Sequence, residues 1–181
     1  MIGFVLARRY AKAVIDLAHE QGIIKEVGED LQGVAAIFAQ SPELLHAFSD
    51  PTVSLQDKEK ILEKVLARGK IKDLTLKFLH VLLMKKRILG VGEICQAYIE
   101  FADQLANRIR ARVVTAVALD KEEEKRIKDA LNRLSGKEVI LELEVDAGLL
   151  GGIVAYMGGQ VYDGSLSNQL HQVKESIGKG R

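Results

Sequence analysis

The sequence predicts a mostly helical α+β protein, in which an N-terminal six-helix bundle at residues 1–105 is followed by a small C-terminal α/β domain at residues 106–181. From Phe4 to about Leu105, apolar residues recur at the spacing of amphipathic helices almost without a break. After Arg110 the period changes to the alternation that is typical of strands. Six helical segments with short connections favour a bundle, so we place the domain boundary near residues 106–110.

The first helix, predicted at about residues 3–19, carries an unusually wide apolar arc. At about 100° per residue its apolar positions cover roughly 200°, about twice what one core contact needs. Two edges of the arc can be separated. One edge consists of Leu6, Tyr10, Ala13 and Leu17, and the other consists of Ala7, Ala11 and Ala18.

The next three helices are ordinary amphipathic segments with recognisable ends. The second helix carries its apolar residues at helical spacing: Val27, Leu31, Val34, Ala35 and Phe38. Ser41 is a predicted N-cap followed by proline at the first helical position, and Asp50 ends this short third helix because it precedes another proline. Ser54 and Asp57 resemble a capping box at the start of the fourth helix.

The fifth helix, predicted at about residues 71–84, again carries two apolar stripes. The first stripe contains Ile71, Leu74, Phe78, Val81 and Leu82, and the second contains Leu76, Leu79 and Leu83. A long sixth helix follows, marked by Ile94, Tyr98, Phe101, Ala102 and Leu105. Periodicity alone leaves two interpretations equally open. Either the first and fifth helices are both fully enclosed, or one stripe of each lines an apolar groove for an amphipathic helix of a partner.

The C-terminal segment predicts a strand, a helix, a second strand, a hairpin and a last helix. The strand patterns span residues 113–117 and 138–146, the second with Val139, Leu141, Leu143 and Val145 on one face. Asp120 and Glu123 open the helix between them, and Gly136 closes it. The hairpin joins residues 153–157 to residues 160–162 through Gly158-Gly159. Ser165 caps the last helix, whose apolar face is Leu166, Leu170, Val173 and Ile177.

Composition excludes several classes of protein. The 26 Lys and Arg nearly balance the 25 Asp and Glu, so we expect no nucleic acid partner, because phosphate binding needs an excess of cations. The single Cys95 excludes an intrachain disulfide and favours a reducing compartment. No apolar run approaches the roughly 20 residues of a membrane span, and the N-terminus lacks the signal-peptide pattern. We therefore expect a soluble, cytoplasmic, globular protein.

No pattern predicts catalysis or a cofactor. The four histidines, His19, His46, His80 and His171, show no metal-ligand spacing. Cys95 has no neighbour that would lower its pKa, which favours its packing as a small apolar residue. The glycines between Gly148 and Gly164 match neither the P-loop nor the dinucleotide fingerprint. We interpret them as turns of a tight hairpin sheet, and we expect no metal, no cofactor and no enzymatic activity.

Several stretches resemble the delta subunit family of bacterial F-type ATP synthases, the counterpart of the mitochondrial oligomycin-sensitivity-conferring protein. In the first helix the matching stretch is Ala7-Arg8-Arg9-Tyr10-Ala11-Lys12-Ala13. In the fifth and sixth helices the matching residues are Phe78-Leu79, Val81-Leu82, Lys86-Arg87, Ile94 and Tyr98. Near the C-terminus they are Val145-Asp146, Leu150-Gly151-Gly152-Ile153, Gly159, Tyr162-Asp163-Gly164-Ser165 and Leu170. The resemblance covers essentially the whole chain in family order.

The resemblance implies a non-catalytic stator subunit of a proton-driven ATP synthase, which resists the torque of the rotor. It implies two partners: the N-terminal helix of an alpha subunit, accepted between the first and fifth helices, and the end of the b-type peripheral stalk, held by the C-terminal region. Carried over by position, the groove residues are Leu6, Tyr10, Ala13, Leu17, Phe78, Val81 and Leu82. The corresponding turn motif on the stalk side is Gly151, Gly152, Asp163, Gly164 and Ser165.

The resemblance also implies a location. As part of the synthase, the chain is expected at the cytoplasmic face of the bacterial plasma membrane, which it reaches only through the complex. The alternative from the sequence is a free-standing helical adaptor or small-ligand-binding protein unrelated to the synthase.

Overall fold

The computed structural model describes residues 3–67, 69–149 and 151–164. The helices are α1 Phe4–Glu20, α2 Ile24–Gln40, α3 Pro42–Ser49, α4 Leu55–Leu66, α5 Asp73–Met84, α6 Val91–Leu105 and α7 Lys121–Ser135, with a 3-10 turn at Ile88–Gly90 before α6. The strands are β1 Arg108–Thr115, β2 Glu138–Val145, β3 Ile153–Met157 and β4 Gln160–Asp163. The predicted class, mostly helical α+β with a small C-terminal sheet, is confirmed. The chain divides into two compact units, with the first ending at Ala102 and the second beginning at Asp103.

The first unit packs its helices around one hydrophobic cluster. The side of α1 that enters this cluster is built from small and β-branched residues: Ala7, Ala11, Val14, Ile15 and Ala18. Tyr98 of α6 is the largest fully buried side chain, and its hydroxyl donates a hydrogen bond of 2.9 Å to the Ile24 carbonyl. That bond satisfies the phenol in the core, because an unpaired buried hydroxyl would cost stability.

Side chains fix the ends of several helices. The Ser54 hydroxyl accepts from the Asp57 backbone N–H at 3.2 Å and caps α4. Asp30 of α2 caps α5 from outside, because its Oδ2 accepts from the Lys72 N–H and the Thr75 hydroxyl, both at 2.8 Å.

The predicted cap at Ser41 is wrong: its side chain makes no capping bond, although proline does occupy the first turn of α3. Proline supplies no N–H at that position and already has a helical φ, so α3 begins without a side-chain cap.

In its described residues the second unit contains α7 and a four-stranded mixed sheet in the order β2-β1-β3-β4. β1 and β2 are parallel and are connected through α7, whereas β3 pairs antiparallel with both β1 and β4. The predicted capping box of Asp120 and Glu123 is present, and Gly136 ends α7 in the left-handed conformation. Gly158 and Gly159, with φ of 61° and 80°, form the predicted hairpin turn. Positive φ at both positions is what the tight turn of a twisted hairpin requires.

β1 begins earlier and ends earlier than its sequence pattern predicts. The predicted strand covered residues 113–117, but β1 spans Arg108–Thr115, and Val117 lies beyond it and is exposed. Arginine occupies the first, third and fifth positions of β1, and this charged face obscured the apolar alternation that predicts a strand. These arginines are paired in the structure: Arg108 and Arg110 with Asp103, and Arg112 with Glu144.

The predicted helix beginning at Ser165 lies outside the described residues. Within the ranges given above, no helix has both the length and the apolar composition needed to cross a bilayer.

Candidate partner-binding surfaces

The two edges of α1 have different environments. The alanine edge, Ala7, Ala11 and Ala18, is at most 2% exposed and faces the core. On the other edge, Leu6 and Tyr10 are half-buried, whereas Ala13 is exposed and Leu17 is 47% exposed. The alanine edge therefore enters the core together with Val14 and Ile15, whereas the other edge is only partly covered.

α5 also divides into a buried face and an outward face. Thr75, Leu79, Leu82 and Leu83 are buried, whereas Phe78 is half-buried and Val81 is 45% exposed. The assignment of Leu82 to a partner-binding groove is therefore corrected, because its exposed fraction is 0%. At 100° per residue, Leu82 lies closer to Leu79 than to Val81 around the helix, so it turns into the core.

The outward faces of α1 and α5 lie side by side. The rings of Tyr10 and Phe78 contact each other edge-on, with centroids 6.5 Å apart and planes at 61°. Further along, Gln21 after α1 and Leu74 of α5 line the same shallow cavity of about 220 Å³. The end of α1 therefore lies near the beginning of α5, so the helices run antiparallel. We call the six residues Leu6, Tyr10, Ala13, Leu17, Phe78 and Val81 the α1–α5 strip.

The α1–α5 strip carries apolar surface and one phenol. Tyr10 and Phe78 pack against the hydrophobic cluster from outside and fix the middle of the strip, while Leu17 and Val81 present unshielded aliphatic surface. Two of the ion pairs on these helices join residues of the same helix: Lys12 with Asp16 at 2.7 Å and Lys77 with Asp73 at 2.6 Å. Such a surface can bury apolar area against a partner, and it offers no pair of groups for acid–base or nucleophilic chemistry.

Three exposed apolar residues outside the strip were missed by the sequence analysis. Phe4 and Val5 begin α1 and are 71% and 73% exposed, and Met84 ends α5 and is 64% exposed. The Arg8 guanidinium lies 5.4 Å from the Phe4 ring centroid and 4.6 Å from that of Phe101, while it pairs with Glu100 at 2.6 Å. Helical periodicity gives no signal for these positions, because exposure at a helix end depends on where neighbouring helices stop.

The glycine-rich motif of the second unit comes together at one end of the β3–β4 hairpin. Gly151 and Gly152, with φ of 126° and 86°, lead into β3. At the other side of the hairpin, Asp163 is paired with Val154, and the Gly164 N–H donates to the Ile153 carbonyl at 2.9 Å. Positive φ at both leading glycines explains why side-chain-bearing residues fit poorly there. Ser165, the last residue of the motif, lies outside the described residues.

The other residues considered for catalysis or metal binding are Cys95 and the histidine and carboxylate side chains. Cys95 is 5% exposed, and burial raises the pKa of its thiol to about 11. A thiol with that pKa is a poor nucleophile at neutral pH. Among the described residues, no three His, Cys, Asp or Glu side chains are grouped in a way that could hold a metal ion.

The chain matches one family of known proteins over nearly its whole length. The family model described as "ATP synthase delta (OSCP) subunit" matches residues 6–177. ATP synthase subunit delta of Trichlorobacter lovleyi is 36% identical over 180 residues, which cover 99% of this chain and 100% of that protein. The same subunit of Desulfotalea psychrophila is 37% identical over 177 residues, which cover 98% and 97% of the two chains.

Among solved structures, the fold resembles a chain of the Toxoplasma gondii mitochondrial ATP synthase hexamer. The TM-score is 0.70 at 24% identity, and the alignment covers 95% of this chain and 97% of that one. The match therefore extends over both units of the fold.

Proposed function

Because the chain belongs to the ATP synthase delta (OSCP) subunit family, we propose that its α1–α5 strip binds the N-terminal helix of an alpha subunit and that its second unit holds the end of the b-type stalk. Members of this family are non-catalytic components of the peripheral stalk, and this chain is such a subunit. The proposal adds the surfaces through which the subunit connects its two partners. It also places the chain at the cytoplasmic face of the plasma membrane, which it reaches through the complex.

The observation that carries the first contact is the exposed apolar strip that α1 and α5 share. Its middle is an aromatic pair held against the core, Tyr10 and Phe78, and its sides are the exposed aliphatic groups of Leu17 and Val81. Two antiparallel helices with an apolar seam suit the apolar face of an amphipathic helix, which would insert residues at i, i+3, i+4 and i+7.

The energetics suit a static link. A stator must hold its partners while torque acts on them, so tight binding is required and chemistry is not. A contact of ordinary size buries about 800 Å² per partner, and aromatic anchors near its centre carry much of the binding free energy. Tyr10 can fill this role because its ring is apolar and rigid while its hydroxyl can donate to a backbone carbonyl of the partner.

The contact with the stalk is assigned to the second unit as a whole. In the described residues of that unit, Val117, Leu143, Val145 and Val161 each expose more than two-fifths of their surface. A subunit that binds both partners raises the effective concentration of each for the other, so the assembly is more stable than either contact alone would make it.

The decisive experiment is the Val81→Glu substitution in the full-length protein. Its carboxylate points into water in the free protein, because Val81 is 45% exposed, so the free energy of unfolding should change little. In a complex the same carboxylate would be desolvated without a partner, which costs several kcal/mol. Titration against catalytic head that lacks its own delta subunit should show affinity reduced about a hundredfold or more.

Two further variants complete the test. Tyr10→Ala should weaken binding about tenfold through loss of an aromatic anchor. Ile37→Glu is the matched control, because Ile37 of α2 is 37% exposed and lies outside the strip. Unchanged head binding by a folded Val81→Glu protein, or equal losses in Val81→Glu and Ile37→Glu, would move the contact away from the strip.

A further inference from the structure

A second cavity in the helical unit lies where the α3–α4 connection, the end of α5 and the 3-10 turn meet. Its volume is about 490 Å³, within the range of about 300–1,000 Å³ that is usual for small-molecule sites. Three buried side chains that line it, Phe48, Leu83 and Ile88, are 6%, 3% and 2% exposed. Leu55 and Leu89 also line it and are 46% and 36% exposed. The cavity shares no lining residue with the α1–α5 strip, so it is a separate feature.

The polar lining of this cavity is positive. Two lysines, Lys58 and Lys86, contribute to it, and no carboxylate does. The Lys58 ammonium donates to the Asp50 carbonyl at 2.7 Å, which holds it in place. Its charge also acts on the Asp50 carboxylate, whose pKa is lowered mainly by hydrogen bonds from Thr52 and to a smaller extent by His46 and Lys58. The Asp50 carboxylate accepts hydrogen bonds from the Thr52 backbone N–H at 2.8 Å and from the Thr52 hydroxyl at 2.7 Å. Lys86 is exposed, and it takes part in none of the ion pairs that the described residues form with one another.

The backbone of Lys86 adds a second observation. Lys86 ends α5 with φ of 56°, in the left-handed region that glycine adopts at lower cost. Its N–H donates to the Leu83 carbonyl and the Arg87 N–H donates to the Leu82 carbonyl, as in a helix end that normally carries glycine. The sequence thus places a cation beside the cavity at a position where glycine would be more stable. Strained residues of this kind often occur at binding sites.

We propose that this cavity binds a small amphiphilic anion, an alkyl carboxylate of medium chain length. The alkyl chain would lie on Phe48, Leu83 and Ile88, and the carboxylate would lie beside the ammonium groups of Lys58 and Lys86. Neither feature alone would select this class: the apolar lining favours any hydrocarbon, and the lysines favour any anion. Together they favour a ligand with one apolar end and one negative end. This site goes beyond the role of the chain as a stator.

The class of ligand is tested with three probes of equal chain length on the full-length protein. Decanoate is the anion, decanol is the neutral analogue and decyltrimethylammonium is the cation. Calorimetry below the micelle-forming concentrations should show saturable decanoate binding at one site, about tenfold tighter than that of decanol, with no binding of the cation. Equal binding of all three probes, or no saturable binding of decanoate, would overturn the proposal.

The location is tested with lysine variants. Lys86→Gln should weaken decanoate binding about fivefold to tenfold through loss of a charge-assisted contact. Lys86→Gly should weaken it equally while raising the melting temperature, because glycine relieves the left-handed strain. This opposite movement of affinity and stability excludes misfolding as the cause of the loss.

Lys64→Gln is the matched control for charge, because Lys64 is an exposed lysine of α4 outside the cavity. It should leave decanoate affinity unchanged. Equal losses in Lys64→Gln and Lys86→Gln would show general attraction to a positive surface and would overturn the site, as would unchanged affinity in both Lys86 variants.

Discussion

Cys95 shows how burial decides the chemistry of a single residue. It is the only thiol of the chain, is 5% exposed, and has its pKa raised by burial to about 11. Relative to an unperturbed cysteine with a pKa of 9.0, this pKa reduces the thiolate fraction at pH 8 by about a hundredfold. We therefore expect the native protein to react with Ellman's reagent at least a hundredfold more slowly than the urea-unfolded protein. Comparable rates in the two states would show that Cys95 is accessible.

The same shift predicts how stability depends on alkaline pH. The folded state binds the thiol proton more tightly than the unfolded state, so this contribution is complete below pH 9 and is lost as pH rises toward 11. The pKa of the buried Tyr98 is also raised by burial, and it adds a loss at still higher pH. In urea titrations Cys95→Ala should reduce the decline of unfolding free energy between pH 9 and pH 11. An unchanged slope would indicate that other groups cause the decline.

Asp103 connects the last turn of α6 to the beginning of β1. Its side chain is 7% exposed, forms an ion pair with Arg108 Nη2 at 3.2 Å and accepts a hydrogen bond from Arg110 Nε at 2.7 Å. Asp103→Asn keeps the shape and removes the charge that compensates two guanidinium groups, so it should cost about 1–3 kcal/mol of unfolding free energy. The control is Glu144→Gln, which breaks the exposed pair with Arg112 at 3.3 Å and should cost less than about 1 kcal/mol. Equal effects in urea denaturation would contradict the structural role of Asp103.

At the scale of elements, Ser41 and Ser54 differ in whether their side chains cap the helix that follows. Both Ser41 and Ser54 precede helices and read as N-caps, but only Ser54 accepts a backbone N–H, that of Asp57. Ser54→Ala should therefore lower the unfolding free energy by about 1 kcal/mol, and Ser41→Ala should change it by no more than a few tenths. Thermal melts of the two variants, which alter the same residue type in the same unit, provide the comparison. A larger loss for Ser41→Ala would contradict the capping bonds seen here.

The elements that the sequence predicted well are those whose signals are local. Asp120, Glu123 and Gly136 define both ends of α7 within a few residues, and the glycine pair defines the hairpin turn. Leu82 was misplaced because it lies at the border between two stripes, where periodicity alone cannot say which neighbour covers it. Leu143 and Val145 share a face with the buried Val139 but are 42% and 57% exposed. They lie on an edge strand, so their exposure depends on the extent of the covering helix.

At the scale of the whole molecule, sequence could predict surfaces made by neighbouring periodic stripes but not cavities made by connections. The α1–α5 strip follows from two helices that each carry more apolar surface than one contact needs. The cavity at Phe48, Leu83 and Ile88 is formed where the connection between α3 and α4 meets the end of α5 and the 3-10 turn that follows it, two stretches that are separated in sequence. No repeat or motif marks such a meeting point, so it becomes visible only when the chain is folded.

The division of the chain into two units predicts that the helical part folds by itself. Every residue of its hydrophobic cluster lies between Leu6 and Ala102, so a fragment of residues 1–105 keeps the whole cluster. We expect this fragment to unfold cooperatively in urea and to bind the catalytic head through the α1–α5 strip.

A fragment of residues 1–90 is the control: it lacks α6, and with it the fully buried Ile94 and Tyr98, so it should be molten and should bind a hydrophobic dye. If the 1–105 fragment also melts without cooperativity, the helical unit depends on the second unit for its stability. If it folds but fails to bind the head, the second unit contributes to that contact.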